Sequence, residues 1–203
     1  MNESSEPRGL RERKKLKARR ELERVALELF EGKGFDQTTI REIADAADMS
    51  PRTFFRYFQS KEEVIFGRTS DDIEALRGRL RSRPESEPPY ESVRYAFMDW
   101  ADRLQDSRED IAARIRLTAR AGPLRRRASQ LRDDIARAIA NELSRRPSQA
   151  DGARDALVAS VCVQAMNIAV VQWSGAELER PLRAFVRDCF DRLEREIRSA
   201  TPI

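Results

Sequence analysis

The sequence contains no histidine. Without an imidazole, the chain cannot form a Ser-His or Cys-His nucleophile pair or a histidine-ligated metal site. It also lacks a glycine-rich phosphate loop, so we predict no catalytic residue, no metal site and no cofactor. These absences argue against an enzyme, although chemistry based on a carboxylate or a lysine stays open.

Cysteine is scarce as well. Cys162 and Cys189 both lie within apolar helical patterns, and they do not show the spacing of metal ligands. We therefore predict buried thiols in a reducing compartment rather than a disulfide or a zinc site. No apolar run follows the basic N-terminal residues, so neither a signal peptide nor a lipid anchor is predicted. We expect a cytoplasmic protein.

Charge is abundant but nearly balanced. The chain has 203 residues, 40% hydrophobic and 36% charged, with a net charge of only +4. It can build a core, but it has no overall basic field that would attract nucleic acid, so such a role would need local charge. Residues Arg8 to Arg20 supply it, with eight basic residues, one acidic residue and a net charge of +7. We predict that this N-terminal arm, assigned to residues 1–17, lies along DNA phosphates or enters a minor groove. A tail that serves solubility is the alternative.

The apolar spacing is helical throughout, without a convincing strand, and it predicts an all-α fold of about nine helices. A stripe from Leu22 to Phe30 ends at Gly32 and Gly34, which favour a helix C-terminus. A capping box at Thr39 then starts a short second helix, and Ser50 with Pro51 starts a third. Another capping box at Ser60 launches a fourth helix through about Leu80. Two short helices behind a longer one have the form of a helix-turn-helix.

The third helix is expected to have two different flanks. Phe54, Phe55 and Phe58 are predicted to pack on the first two helices, whereas the opposite flank carries polar side chains suited to a DNA groove. Lys61 stands at the start of the next helix, where free amides attract phosphate. The predicted DNA-binding residues are Thr39, Arg41, Ser50, Pro51, Arg52, Thr53, Arg56, Tyr57 and Lys61.

Residues Gly34 to Val64, GFDQTTIREIADAADMSPRTFFRYFQSKEEV, resemble the DNA-binding domain of the TetR (tetracycline repressor) family. The family pattern is met through Thr39, Ile43-Ala44, Ser50, Thr53, Phe58 and Lys61, while Phe55 stands where tyrosine is common. The resemblance covers about residues 18–66, which we assign to the helix-turn-helix domain. It implies a helical homodimer whose third helices enter successive major grooves, and C-terminal helices that bind a small molecule.

Residues 67–203 are assigned to a helical domain for ligand sensing and dimerisation. Prolines between Arg81 and Pro89 predict a loop. An effector would suit a largely apolar pocket with two or three polar side chains. The side chains that we assign to this pocket could instead belong to the hydrophobic core. The candidate ligand-binding residues are Tyr95, Phe97, Met98, Trp100, Gln164, Met166 and Asn167.

The stretch from Ala156 to Trp173 contains no charged residue. Its length just reaches that of a membrane span, but its polar side chains favour a buried helix and no membrane association. The last helix has an apolar stripe that needs a partner, which predicts a four-helix interface between two copies. The candidate interface residues are Val158, Val161, Phe185, Cys189, Phe190 and Leu193.

We therefore expect a one-component transcriptional regulator, most simply a repressor, with palindromic operator DNA, a second copy and a small, largely apolar effector as partners. Two alternatives stay open. One is a small helical enzyme or carrier that acts on an apolar compound. The other is a DNA-binding protein that responds to no ligand, either an activator or an architectural factor.

Overall fold

The computed structural model describes residues 8–67, 69–105, 108–146, 151–176 and 180–199. Across these residues the fold is all helical, as predicted, and no strand occurs among them. The predicted fourth helix consists of two helices, which brings the number in the described ranges to ten. They are α1 (Arg8–Lys33), α2 (Ile40–Ala46), α3 (Pro51–Tyr57), α4 (Lys61–Phe66), α5 (Thr69–Arg81), α6 (Pro89–Leu104), α7 (Arg108–Arg120), α8 (Gly122–Leu143), α9 (Gly152–Gly175) and α10 (Leu182–Ser199).

The chain forms two compact units, Met1–Gly67 and Arg68–Ile203. In the first unit, α1 ends where Gly34 adopts a left-handed conformation with φ +96°. The Gly34 amide donates to the Phe30 carbonyl at 3.0 Å, which closes the last turn. Gly32, also predicted to end this helix, lies inside it.

The predicted helix starts are confirmed. Thr39 Oγ1 accepts from the Glu42 amide at 3.2 Å, and the Glu42 carboxylate accepts from the Thr39 amide at 2.8 Å. These bonds and the Lys33 ammonium lower the pKa of Glu42 to about 2, with the Lys33 hydrogen bond as the largest cause. Ser50 Oγ accepts from the Thr53 amide at 3.1 Å and caps α3.

The first unit has an aromatic core that fixes α3. Phe54 and Phe58 are fully buried, with ring centroids 5.4 Å apart, and Phe30 and Phe35 form a second pair at 5.0 Å. Burying one such side chain contributes on the order of 2 kcal/mol. The prediction for Phe55 was wrong, because its side chain is 56% exposed. It lies about 100° around the helix from Phe54, and the buried face of this short helix is too narrow to include it.

The second unit packs around α9, which contacts α6, α7, α8 and α10. Trp173, Phe97, Phe190 and Ile139 lie fully buried in its core. By length and composition α9 could cross a membrane, with a mean hydropathy of 1.6 over its most apolar 18 residues, of which 39% are buried. One such helix is weak grounds for a membrane protein. The buried-helix prediction holds for one face of α9, whereas the other face is exposed.

Ion pairs and buried hydrogen bonds connect the helices of this unit. The buried carboxylate of Glu142 on α8 accepts from Arg81 on α5 at 2.8 and 3.0 Å, which lowers the pKa of Glu142. The buried guanidinium of Arg146 donates to Ser92 Oγ and to the Glu87 carbonyl, both at 3.0 Å. These bonds hold the predicted loop between α5 and α6 against the end of α8.

The two cysteines are free thiols. Cys162 is fully buried, and burial raises its pKa to about 12. Cys189 is half-buried, and its thiol lies 3.7 Å from the side-chain oxygen of Gln172. The prediction of buried thiols is therefore met fully by Cys162 and in part by Cys189.

Candidate nucleic-acid interface

The outward side of α3 is polar and basic. Arg52 and Arg56 lie one helical turn apart, opposite the buried pair Phe54 and Phe58, and both are exposed. Arg52 forms no ion pair with any carboxylate in the described ranges. Thr53 lies half-buried beside them. This surface offers several hydrogen-bond donors to a groove while the aromatic core holds the backbone in place.

Arg56 and Tyr57 form a pair at the end of the same helix. The guanidinium lies 5.0 Å from the centre of the Tyr57 ring and donates to its hydroxyl at 3.1 Å. This contact orders a long side chain before any ligand binds, which reduces the entropy lost on binding. Because a guanidinium has five donors, Arg56 keeps several for a phosphate or a base.

The starts of the short helices carry four further candidates. Ser50 and Pro51 are exposed at the start of α3, and Thr39 is exposed at the start of α2. The Ser50 hydroxyl lies 3.0 Å from the Thr53 hydroxyl, which places both on one surface. Arg41 projects into solvent, 84% exposed, with Asp45 at 3.8 Å. Of these residues, Thr39 and Ser50 also cap the helices that they precede.

Lys61 lies at the start of α4, as predicted, and its ammonium also contacts the rest of the first unit. Its ammonium donates to the carbonyls of Phe35 and Thr38 at 2.8 and 2.7 Å, and it lies 4.6 Å from the centre of the Phe35 ring. Lys61 therefore ties the start of α4 to the connection between α1 and α2. Two of its three donors are used inside the unit, so at most one can reach a phosphate.

The described part of the basic arm is helical. Residues 1–7 lie outside the described residues, and from Arg8 onward the arm forms the beginning of α1. A helix with side chains is about 10 Å wide, whereas a B-DNA minor groove is about 6 Å wide. The helical arm therefore suits contacts with phosphates and not entry into a minor groove.

One basic side of α1 borders a shallow depression of about 420 Å³, lined by Arg13, Leu16, Lys17, Arg20, Glu21 and Arg24. Arg19 faces elsewhere, with its guanidinium 5.1 Å from the centre of the Phe58 ring and 3.4 Å from the Gly67 carbonyl. Not every basic residue of the arm is therefore available to DNA.

The candidate ligand-binding residues fall into different environments. Phe97, Met98 and Met166 belong to the core, and Trp100 packs at its edge with its ring 6.1 Å from that of Phe97. In contrast, Tyr95 is 40% exposed beneath the Arg83 guanidinium. Gln164 is also exposed, and Asn167 is half-buried. The structure therefore brings together the α6 and α9 core residues but does not bring all seven candidates to one cavity.

The candidate interface residues also differ in how much of each side chain is exposed. Val161, Phe185, Cys189 and Leu193 are half-buried at the surface of α9 and α10. Val158 is half-buried against the core. Phe190 is fully buried within the chain, 6.3 Å from Phe97 between ring centres, so it has no surface to offer a partner.

The exposed face of α9 is longer than the candidate set. Its residues recur at alternating intervals of four and three, a pattern that the sequence shows. We did not predict from it that these residues form an exposed stripe. Three of its side chains are about half exposed or more, namely Leu157 at 65%, Ile168 at 48% and Val171 at 49%. The stripe consists of Leu157, Val161, Gln164, Ile168 and Val171. Ile197 on α10 is 56% exposed.

A second basic block lies on α7 and α8. Between Ile111 and Arg132 the chain carries seven arginines and no acidic residue. Arg120, Arg126 and Arg127 are exposed and pair with no described carboxylate, whereas Arg125 donates to the Ala119 carbonyl at 3.0 Å. This positive surface was not predicted, although the charge pattern alone would have revealed it.

Comparison with known proteins decides the family. The sequence model described as "Bacterial regulatory proteins, tetR family" matches residues 24–66, and that of the MftR C-terminal domain matches residues 87–198. The chain belongs to the TetR family of bacterial transcriptional regulators. The expected helix-turn-helix is thus the DNA-binding part of a TetR-family regulator, and the enzyme alternative loses its support.

This TetR-family regulator is similar to the HTH-type transcriptional regulator TcmR of Streptomyces glaucescens, with 44% identity over 98 residues. That match covers 48% of this chain and 43% of TcmR, so the chain spans less than half the length of this relative. The fold is similar to that of Thermus thermophilus FadR in complex with lauroyl-CoA, at a TM-score of 0.56 and 24% identity over 87% of this chain and 93% of that one. Bacillus subtilis FadR in complex with stearoyl-CoA gives a TM-score of 0.61 at 16% identity, over 85% and 96% of the two chains.

Proposed function

We propose that this regulator is a repressor that binds a palindromic operator as a homodimer and leaves it when a small amphiphilic effector binds. The main observation in support of this proposal is that α3 has one buried aromatic side and one exposed side that is polar and basic. Phe54 and Phe58 anchor one side in the core, and Arg52, Thr53 and Arg56 stand together on the other. A short helix fixed in this way can enter a major groove without rearrangement.

We assign base recognition to the middle of this surface. Arg52 and Arg56 can donate two parallel hydrogen bonds to a guanine edge, and Thr53 can contact either base of a pair. The residues assigned to its margins, facing the sugar-phosphate backbone, are Ser50, Pro51 and Tyr57, with Thr39 just before α2 and Arg41 on α2. Lys61 is assigned first to holding the start of α4 in place, with at most one ammonium proton left for a phosphate.

The test uses an operator that the full chain selects from random duplexes. Arg52→Ala and Thr53→Ala should each weaken binding to this operator by about 1–3 kcal/mol and relax the choice of one base pair. Arg187→Ala, at an exposed arginine of α10, is the control and should bind like the original protein. If both α3 variants kept the affinity and the base preference, α3 would not be the reading helix.

Dimerisation is supported by the apolar surface that α9 and α10 leave exposed. Two copies related by a twofold axis would each contribute these two helices, which builds a four-helix interface. In such a dimer the two α3 helices can occupy half-sites about 34 Å apart, and neither copy would need to hold the DNA alone.

The effector is proposed to combine an apolar part with an anionic head. Buried Phe97 and Met166 and the neighbouring Trp100 favour an apolar part, in keeping with the expectation from the sequence. The arginine surface of α7 and α8 adds an attraction for phosphate or carboxylate groups. Acyl-CoA has both features, and it is the ligand of two proteins with a similar fold. A regulator that responds to no ligand is the alternative, and it would show no change in operator binding across acyl-CoA, coenzyme A and fatty acids.

A further inference from the structure

Phe55 is an apolar side chain where the surface is otherwise polar. Its ring is 56% exposed on α3 and stands edge-on to Phe54, with centroids 5.8 Å apart and planes at 90°. In the described residues of the first unit, the exposed large hydrophobic side chains are Phe55 and Leu16, and Leu16 lies on α1. The core does not need the Phe55 ring, since Phe54 and Phe58 already fill the space beneath α3.

The position of Phe55 decides which part of DNA it can reach. It lies three residues after Arg52, so the two side chains are neighbours on the outward side of the helix. It lies one turn after Pro51, and α3 has only seven residues and is about 10 Å long, so Phe55 stays within reach of the groove that the start of the helix enters. A base edge that Arg52 could reach would therefore have the Phe55 ring beside the adjacent base pair or its sugar.

The chemistry of the Phe55 ring limits which groups of the DNA it can contact. Phenylalanine has no hydroxyl or amide, so it cannot bond to a phosphate or to a polar base edge. The major groove presents one apolar group, the C5-methyl of thymine, and a phenylalanine ring is among the side chains that contact it. Contact removes both the methyl group and the exposed ring from water.

We propose that Phe55 is a specificity-determining residue that packs against the C5-methyl group of one thymine in each operator half-site. The inference rests on the proposed function, because α3 must be the reading helix. It adds a preference for thymine to the hydrogen bonds that Arg52 and Arg56 can donate. The thymine belongs to the base pair next to the one that Arg52 contacts.

The experiment removes the methyl group from the DNA and the ring from the protein. In the operator selected by the full chain, each thymine is replaced singly by deoxyuridine, and binding is measured by fluorescence anisotropy. At one thymine per half-site, the original protein should lose about fourfold in affinity, the factor expected when one methyl group returns to water. Phe55→Ala should bind the thymine and deoxyuridine duplexes equally.

Two further variants keep the result interpretable. Phe55→Tyr keeps the ring and should keep the deoxyuridine penalty, while Phe55→Leu should keep a reduced one. Circular dichroism should show Phe55→Ala as helical as the original chain, because the ring is outside the core. If that variant were unfolded, the comparison of Phe55→Leu with Phe55→Tyr would serve in its place.

The proposal is overturned if the selected operator has no thymine in the half-site, or if every deoxyuridine substitution affects the original protein and Phe55→Ala alike. A chain that selects no duplex at all would refute the proposed function itself, and this proposal with it. A chain that selects DNA and depends on Arg52, but not on any thymine methyl, would refute the Phe55 assignment alone.

Discussion

Lys61, predicted from the sequence as a DNA contact, also connects two parts of the first unit. Its ammonium donates to two backbone carbonyls, those of Phe35 and Thr38. We expect Lys61→Met to keep the apolar stem but to lower the stability of the first unit by about 1–2 kcal/mol, since hydrogen bonds from a charged group are removed.

The measurement is amide hydrogen exchange across α2, α3 and α4, which should quicken in Lys61→Met. Both tryptophans, Trp100 and Trp173, lie in the second unit, so unfolding followed by tryptophan fluorescence should not change. Lys33→Met is the control, because the Lys33 pair with Glu42 lies at the surface and contributes little. A slope of log K against log salt that fell by about 1 in Lys61→Met would instead mean that the Lys61 ammonium binds a DNA phosphate.

Phe55 marks the limit of prediction at the scale of the residue. The helical spacing correctly placed Arg52 and Arg56 opposite Phe54 and Phe58, and local capping rules located Thr39 and Ser50. Three phenylalanines in five positions could not all be buried, however, because a seven-residue helix presents only a narrow face to its neighbours. Deciding which rings are buried needs the positions of α1 and α2, and these follow from long-range packing.

At the scale of the element, the helical start of α1 changes what the basic arm can do. Deleting residues 1–15 removes Arg8, Arg11, Arg13, Lys14 and Lys15. We expect weaker binding to all DNA sequences and a flatter slope of log K against log salt, by about 0.9 for each phosphate that the arm no longer neutralises. Base preference should not change, because α3 is intact.

The control for this deletion keeps the helix and removes the charge, with the same five positions changed to glutamine. Both proteins should show the same flattened slope if the arm acts through charge. If the slope measured with the deletion matched that of the full chain, the arm would lie outside the interface and serve solubility.

The arginine surface of α7 and α8 gives a second prediction for an element. Arg125→Gln, Arg126→Gln and Arg127→Gln together should raise, by about tenfold or more, the concentration of palmitoyl-CoA that releases the operator, because hydrogen bonds to charged groups contribute about 1.5–3 kcal/mol each. Release by palmitate should change less, since a carboxylate needs fewer donors than the CoA phosphates. Operator release is followed by fluorescence anisotropy.

Arg187→Gln, Arg192→Gln and Arg195→Gln on α10 make the matched control, with the same reduction of charge at exposed positions of the same unit. The control should respond to palmitoyl-CoA like the original protein. Equal responses in both triple variants would remove the arginine surface from the effector site.

The positions of the helices along the chain were largely predictable from the sequence, but which side of each helix is buried was not. Prolines, glycines and capping residues located most of the boundaries, since these signals are local. The charge-free stretch of α9 was expected to be buried as a whole, and one side of it is exposed. A charge-free, mostly apolar sequence does not show which side meets the core, because that depends on α6, α8 and α10. The sequence shows the alternating three- and four-residue spacing of the exposed stripe. The prediction for α9 was based instead on the polar residues Gln164 and Asn167 and on Met166.

At the scale of the whole molecule, the exposed stripe of α9 argues for a second copy. Four of the five stripe residues are apolar, Gln164 being the exception, and the neighbouring helix α10 carries the half-buried Phe185, Cys189 and Leu193. Exposed apolar patches of this kind mark interaction sites. We expect Ile168→Glu to place a charge in the interface and to convert a dimer to a monomer in size-exclusion chromatography with light scattering. Tryptophan fluorescence unfolding should show a folded chain, because Ile168 is outside the core. Ser129→Glu, at an exposed position of α8, is the control and should remain dimeric.

The same variant tests whether two copies are needed to bind the operator. A monomer has one α3 helix and pays the full entropy of association for each half-site, whereas a dimer places the second helix at high effective concentration. Ile168→Glu should therefore bind the full operator no better than a single half-site, while Ser129→Glu keeps the difference. A monomeric variant with undiminished operator affinity would show that the copies bind independently. A variant that stayed dimeric would show that the interface lies away from this face of α9.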